Sequence, residues 1–126
     1  MALKLCIAQL NFLVGDMAGN AQKIIAAART AYAQGARLVL TPELSICGYA
    51  AEDLFLRPAF IAACDDAVKT VARELAGLKG LHVVVGHPTG GDVRSKSVAV
   101  QRRFNAASVV SEGRVLDTYA KRELPN

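Results

Sequence analysis

A strand–helix–strand run near the start of this 126-residue chain restricts the fold more than any other feature. Leu3 to Leu10 is apolar and alternating, with the period of a strand. Asn11 to Gly19 follows as a loop with turn residues Gly15, Asp16 and Gly19. Asn20 has the chemistry of an N-cap. Ala21, Ile24, Ile25, Ala28 and Tyr32 then recur at the spacing of one helical face, which predicts a helix to about Gln34. Gly35 suits the position just past a helix end, and Arg37 to Thr41 reads as a second strand. Strand, helix and strand over so short a span predict a parallel, right-handed βαβ unit, and hence an α/β fold.

The remainder extends the same pattern. Ala50 to Arg57 reads as a short helical turn or ordered loop leading to Pro58, a residue suited to the first turn of a helix. Ile61, Cys64, Val68, Val71 and Leu75 form the buried stripe of that second helix, with Asp65 and Asp66 turned away from it. Leu81 to Gly86 is a third strand, apolar except for His82. Phe104 to Val110 and Val115 to Tyr119 are two more, joined by the hairpin chemistry of Ser111-Glu112-Gly113. Each long helix has one apolar stripe and one polar face. The expected architecture is therefore one sheet with both helices packed together on one side. No internal repeat or linker interrupts the chain, so one domain is expected.

Composition narrows the function. Hydrophobic residues make up 52% of the chain, which excludes a disordered segment. No apolar run approaches a membrane span, and the start of the chain lacks a secretory pattern. The expectation is a cytoplasmic protein with no membrane partner. The net charge of +4 would permit nucleic-acid binding. The positive residues are scattered, however, and the densest group, Arg94, Lys96, Arg102 and Arg103, has no interleaved aromatics on which bases could stack. That group reads as a solvated or partner-facing loop, and no nucleic-acid partner is expected.

Cys6, Cys47 and Cys64 are odd in number and form no C-x-x-C, which argues against a disulfide framework or a metal site. Cys6 and Cys64 read as small core residues. The Gly15 to Gly19 loop has neither phosphate-binding glycine pattern.

Two positions carry candidate chemistry. Glu43 lies in Thr41-Pro42-Glu43-Leu44-Ser45-Ile46-Cys47-Gly48-Tyr49, directly after the second strand, where Pro42 should stop the ladder. Ligands gather at the carboxyl ends of strands in open α/β sheets, so Glu43 is a candidate general base. Equally, it could be solvated or cap nearby N–H groups. Cys47, four residues further on, is weighed as a nucleophile, but no histidine accompanies it. Lys121 follows the last strand and precedes a proline-containing turn; alone, it could be a surface lysine.

Taken together, the segments resemble the nitrilase (carbon–nitrogen hydrolase) superfamily. The matching pieces are Leu5-Cys6-Ile7-Ala8-Gln9-Leu10-Asn11, Pro42-Glu43-Leu44 with Gly48-Tyr49, Asn105-Ala106-Ala107, and Tyr119-Ala120-Lys121 with Leu124-Pro125. They stand in the family's order and cover nearly the whole chain. Within the superfamily the chain looks most like the glutaminase domain of the glutamine-dependent NAD synthetases. The cues are Val14 to Asn20, Gly48-Tyr49-Ala50-Ala51-Glu52-Asp53-Leu54 with Leu56-Arg57, and Lys121 to Asn126. Ala50-Ala51 departs from the Pro-Pro usual in that branch.

The resemblance implies an α-β-β-α sandwich, of which residues 1–126 would be the N-terminal part, about half of one glutaminase domain. It implies Glu43 as general base, Lys121 as stabiliser of the transition state, and a nucleophilic cysteine beyond Asn126. The charged ends of Glu43 and Lys121 should then lie within roughly 7 Å of each other, since both must reach one reacting centre. L-glutamine would be the substrate, bound mostly by residues outside this chain, and no metal site is implied here. The ammonia released would serve a separate domain, dependent on ATP and Mg²⁺, that amidates nicotinic acid adenine dinucleotide to NAD. Homo-oligomers are expected. The other readings are a free-standing amidase of the superfamily and a non-catalytic assembly module.

Overall fold

The computed structural model describes residues 4–48, 57–90 and 103–121. Its elements in chain order are β1 (Leu5–Ile7), α1 (Met17–Ala33), β2 (Leu38–Leu40), α2 (Pro58–Glu74), β3 (His82–Gly90), β4 (Arg103–Ser111) and β5 (Arg114–Lys121). The five strands form one mixed sheet in the order β1-β2-β3-β4-β5. β1, β2 and β3 run parallel, while β3, β4 and β5 are antiparallel neighbours.

One core joins both helices to one side of the sheet. Ala21, Ile24, Ile25, Ala28 and Ala31 of α1 meet Cys64, Ala67, Val68, Val71 and Ala72 of α2 over Val39, Val83, Val85 and Val110. The stripes expected for the two helices are buried, apart from Tyr32, which is half-buried. On the opposite side, strand positions alternate outward. Leu5, Ile7 and Tyr119 are 47%, 64% and 74% exposed.

The boundaries differ in instructive ways. β1 is shorter than the apolar run suggests, although Ala8 N still donates to Leu40 O at 2.9 Å. β3 continues through the polar residues His87 and Pro88 because β4 pairs with it as far as Gly90. The β4–β5 hairpin has a two-residue loop, Glu112-Gly113, with both φ angles positive as a tight hairpin requires.

Helix α1 starts four residues early. Its N-cap is Asp16, whose Oδ1 accepts from Gly19 N at 3.0 Å. Asn20, expected as the cap, is instead a buried junction. Its Nδ2 donates to Leu13 O at 2.7 Å and Ile46 O at 3.1 Å, and its Oδ1 accepts from Leu13 N at 2.9 Å. It thereby fastens the loop after β1 to the loop after β2. The turn expected at 50–56, the basic residues Arg94, Lys96 and Arg102, and the closing turn at 122–126 lie outside the described residues.

Candidate active site

The loop after β2 is held on β3 by its own short polar residues. Pro42 has no N–H to continue the ladder, and β2 ends at Leu40. Thr41 Oγ1 donates to Val84 O at 2.8 Å and lies 2.8 Å from Ser45 Oγ. Ser45 Oγ and Ile46 N both donate to Gly86 O, at 3.3 and 3.0 Å. Gly48 N returns to Leu44 O at 2.7 Å, and Gly48 has φ +71°.

Leu44 also has a positive φ, 55°, an unusual state for a branched side chain. Its side chain is nevertheless buried. Gly86 lets the loop lie this close. A Cβ there would meet Pro42 O at 2.4 Å and Leu44 N at 2.7 Å.

Glu43 is carried outward by this frame and is exposed. Asn105, half-buried on β4, donates from Nδ2 to Glu43 Oε1. In the sheet register Asn105 pairs with Pro88 on one side and with Lys121 on the other. Directly opposite positions of an antiparallel pair share one face of the sheet. Position 121 therefore stands beside the residue that binds Glu43, on the side of the sheet away from the helices. The separation of the two charged ends lies outside the described residues, because the Lys121 side chain is not among them.

Cys47 occupies a different environment. It is completely buried, with Sγ 3.2 Å from Gly48 O, and it shares a hydrogen bond with the buried Cys64. That bond draws the Cys47 thiol down against the effect of burial. The same bond, with burial, pushes the Cys64 thiol up, so Cys64 keeps its proton. A sulfur so enclosed does not meet a substrate at the loop surface.

The histidines divide. His82 is exposed, whereas His87 is buried under α2, its Nε2 2.6 Å from Ser108 Oγ, which lies 2.8 Å from Thr118 Oγ1. Burial pushes the His87 imidazole down, partly offset by the Pro88 carbonyl and Asp65. Burial likewise pushes the Asp65 carboxyl up, with His87 and Lys69 opposing.

Two residues emerge that sequence reasoning did not assign to the site, Asn105 and Asn20. The only signal for Asn105 was its place at the head of a matching motif. Nothing local marked Asn20 as a junction rather than a cap, since its partners are seven and twenty-six residues away.

The fold and the loop after β2 define a class. The carbon–nitrogen hydrolase family model matches residues 4–126, and the chain belongs to that family. Among named relatives, it is 45% identical over 127 residues to the glutamine-dependent NAD(+) synthetase of Xanthomonas campestris pv. campestris, covering 98% of this chain and 21% of that protein. In structure it is similar to the glutamine-dependent NAD(+) synthetase from Cytophaga hutchinsonii, with TM-score 0.78 and 25% identity over 95% of this chain and 19% of the other. It is also similar to a nitrilase-superfamily amidase from Nesterenkonia AN1, with TM-score 0.74 and 26% identity over 98% of this chain and 44% of the other. The chain thus spans about a fifth of the length of the curated relatives it matches.

Proposed function

We propose that this chain forms the N-terminal part of the glutaminase module of a glutamine-dependent NAD synthetase. In this reading Glu43 is the general base and Lys121 stabilises the transition state. The thiolate nucleophile comes from outside these 126 residues. The observation that carries the reading is the alignment Glu43–Asn105–position 121 at the end of β2, in a chain of the carbon–nitrogen hydrolase family. Its likeness to named NAD synthetases supports the choice of substrate.

The steps follow from the residue types. The Glu43 carboxylate takes the proton of the incoming thiol, and the thiolate attacks the amide carbon of glutamine. Negative charge gathers on the former carbonyl oxygen, where the Lys121 ammonium offsets it. Glu43 returns the proton to the departing nitrogen as the C–N bond breaks, giving ammonia and a thioester. Glu43 next deprotonates water, which attacks the thioester, and the thiol leaves with the proton as glutamate forms. ATP and Mg²⁺ belong to the later amidation of nicotinic acid adenine dinucleotide, in which none of these residues is assigned a part.

The test uses the complete enzyme, made by substituting this chain for the matching segment of the Xanthomonas campestris synthetase. Glu43→Gln should abolish ammonia release from glutamine while leaving the melting temperature nearly unchanged. Retained glutaminase activity would refute the assignment. The likeness to the Nesterenkonia amidase favours a second reading, a free-standing amidase. The natural reading frame that carries this chain separates the two. Its product makes NAD from glutamine and ATP under the first and only hydrolyses amides under the second.

A further inference from the structure

Asn105 donates to Glu43, yet the loop that carries Glu43 does not need that bond to stay in place. Thr41, Ser45 and Ile46 already tie the loop to Val84 and Gly86 of β3. Asn20 ties it from the other side through Ile46 O. The backbone around Glu43 is therefore held by contacts that Asn105 does not make. What Asn105 adds is a donor at one oxygen of the carboxylate itself. The terminal torsion of a glutamate is broad. An amide N–H at Oε1 narrows that torsion by favouring one orientation of the carboxylate.

The register gives this bond a direction. Asn105 stands directly opposite Lys121 and Pro88. Pro88 is buried and its ring fixes its φ, so the position opposite Asn105 on β3 is stiff. The same side chain thus lies between the strand that carries the cation and the loop that carries the base.

We infer that Asn105 is a positioning residue for amide hydrolysis: its Nδ2 sets the orientation of the Glu43 carboxylate relative to position 121. The inference deepens the proposed function and rests on Glu43 being the base. Asn105 touches neither the substrate nor the reacting atoms; it acts through Glu43. A misdirected base loses rate rather than substrate affinity, and misplacement by about 1 Å can cost about a hundredfold.

The experiment uses the complete glutaminase described above, with glutamine as substrate and ammonia release as readout. Three variants are compared, Asn105→Leu, Asn105→Asp and Glu43→Gln. Asn105→Leu removes the donor at similar volume. It should lower kcat about tenfold to a hundredfold and leave KM within about twofold. Asn105→Asp is isosteric and sets a second carboxyl against Glu43. Two carboxyls in contact share a proton, so the acid limb of the kcat profile should move to higher pH. An asparagine out of contact with the Glu43 carboxylate would not move that limb.

Asn105→Leu at the parent kcat, a loss confined to KM, or an unmoved acid limb in Asn105→Asp would each overturn the inference. An inactive Glu43→Gln beside any of these leaves the general-base reading standing while the role of Asn105 falls. An active Glu43→Gln removes both. If Asn105→Leu melts early, Asn105→Asp decides alone, through its pH profile.

Discussion

The carbonyl of Pro42 crosses directly over Gly86, so that a Cβ at residue 86 would sit 2.4 Å from its oxygen. The obstacle is backbone, since Leu44 N would lie 2.7 Å away, and no side-chain rotation relieves it. Gly86→Ala should therefore push the loop off β3. At an unstrained site with room for the methyl, Gly to Ala stabilises by about 0.4–1 kcal/mol. Here we expect the opposite sign, a loss of about 1–3 kcal/mol in urea denaturation, as for other overpacked sites. In the complete enzyme glutaminase activity should fall as well, because Glu43 moves with the loop.

Asn20, itself fully buried, makes three bonds, a buried one to Ile46 O and two part-buried ones to Leu13. Asn20→Ala would leave Leu13 N, Leu13 O and Ile46 O short of partners. Unsatisfied buried groups cost about 1–3 kcal/mol each, so a loss of about 2–4 kcal/mol in chemical denaturation is expected, allowing for some rescue by water. Asn20→Asp should be worse than Asn20→Ala. It faces two carbonyl oxygens with a carboxylate where the amide had a donor.

The buried His87 predicts a pH dependence of stability. Burial holds its imidazole below the 6.5 of a free side chain. The unfolded chain then takes up the proton first, so stability from this group is full above pH 6.5 and is lost as pH falls below it. Asp65 acts in the opposite sense at more acid pH, because burial raises its carboxyl above 3.8 and the folded state keeps that proton longer. Melting temperatures measured from pH 7.5 down to 5.5 should fall for the parent and stay flatter for His87→Gln. An equally steep fall in the variant would assign the effect elsewhere.

Cys47 supplies a sharper chemical test. The purified 126-residue chain should release no ammonia from glutamine. In the complete enzyme Cys47→Ala should retain the parent kcat, because its sulfur is enclosed between the loop and α2. Turnover by the chain alone that Cys47→Ala abolishes would make Cys47 the nucleophile.

The side of the sheet away from the helices carries Leu5, Ile7 and Tyr119 in exposed positions. Apolar surface of this kind drives association when nothing covers it. Sedimentation of the isolated chain should show self-association that rises with concentration, and Ile7→Lys with Tyr119→Lys should reduce it. A clean monomer at high concentration would count against this.

The fold was legible where hydrophobic period and length agreed. The stripes of α1 and α2, the parallel pairing of β1 with β2 and the β4–β5 hairpin all follow from local spacing. Errors fell where a distant partner decided the outcome. Asn20 has cap chemistry, but Ile46 and Leu13 recruit its amide, and Asp16 takes over the cap. β3 outruns its apolar core because β4 lends it partners as far as Gly90. Glu43 stood out as an acid after a strand, whereas Asn105 could not, because its meaning depends on a hydrogen bond to a residue sixty-two positions away.

Leu44 leaves the loop with an inheritance problem. Its backbone, at φ 55°, is one that glycine or asparagine would adopt with less strain. Its side chain, buried in the core, is one that neither could replace. Glycine at this position would relieve about 1 kcal/mol of backbone strain and forfeit about 2–3 kcal/mol of apolar burial. A stabilised variant chosen by turn propensity would therefore be a weaker protein. Large apolar side chains should therefore be tolerated best at residue 44, even though the turn itself prefers small ones. The conformation beside Glu43 is thus maintained from beneath, by the core, and softens whenever the core does.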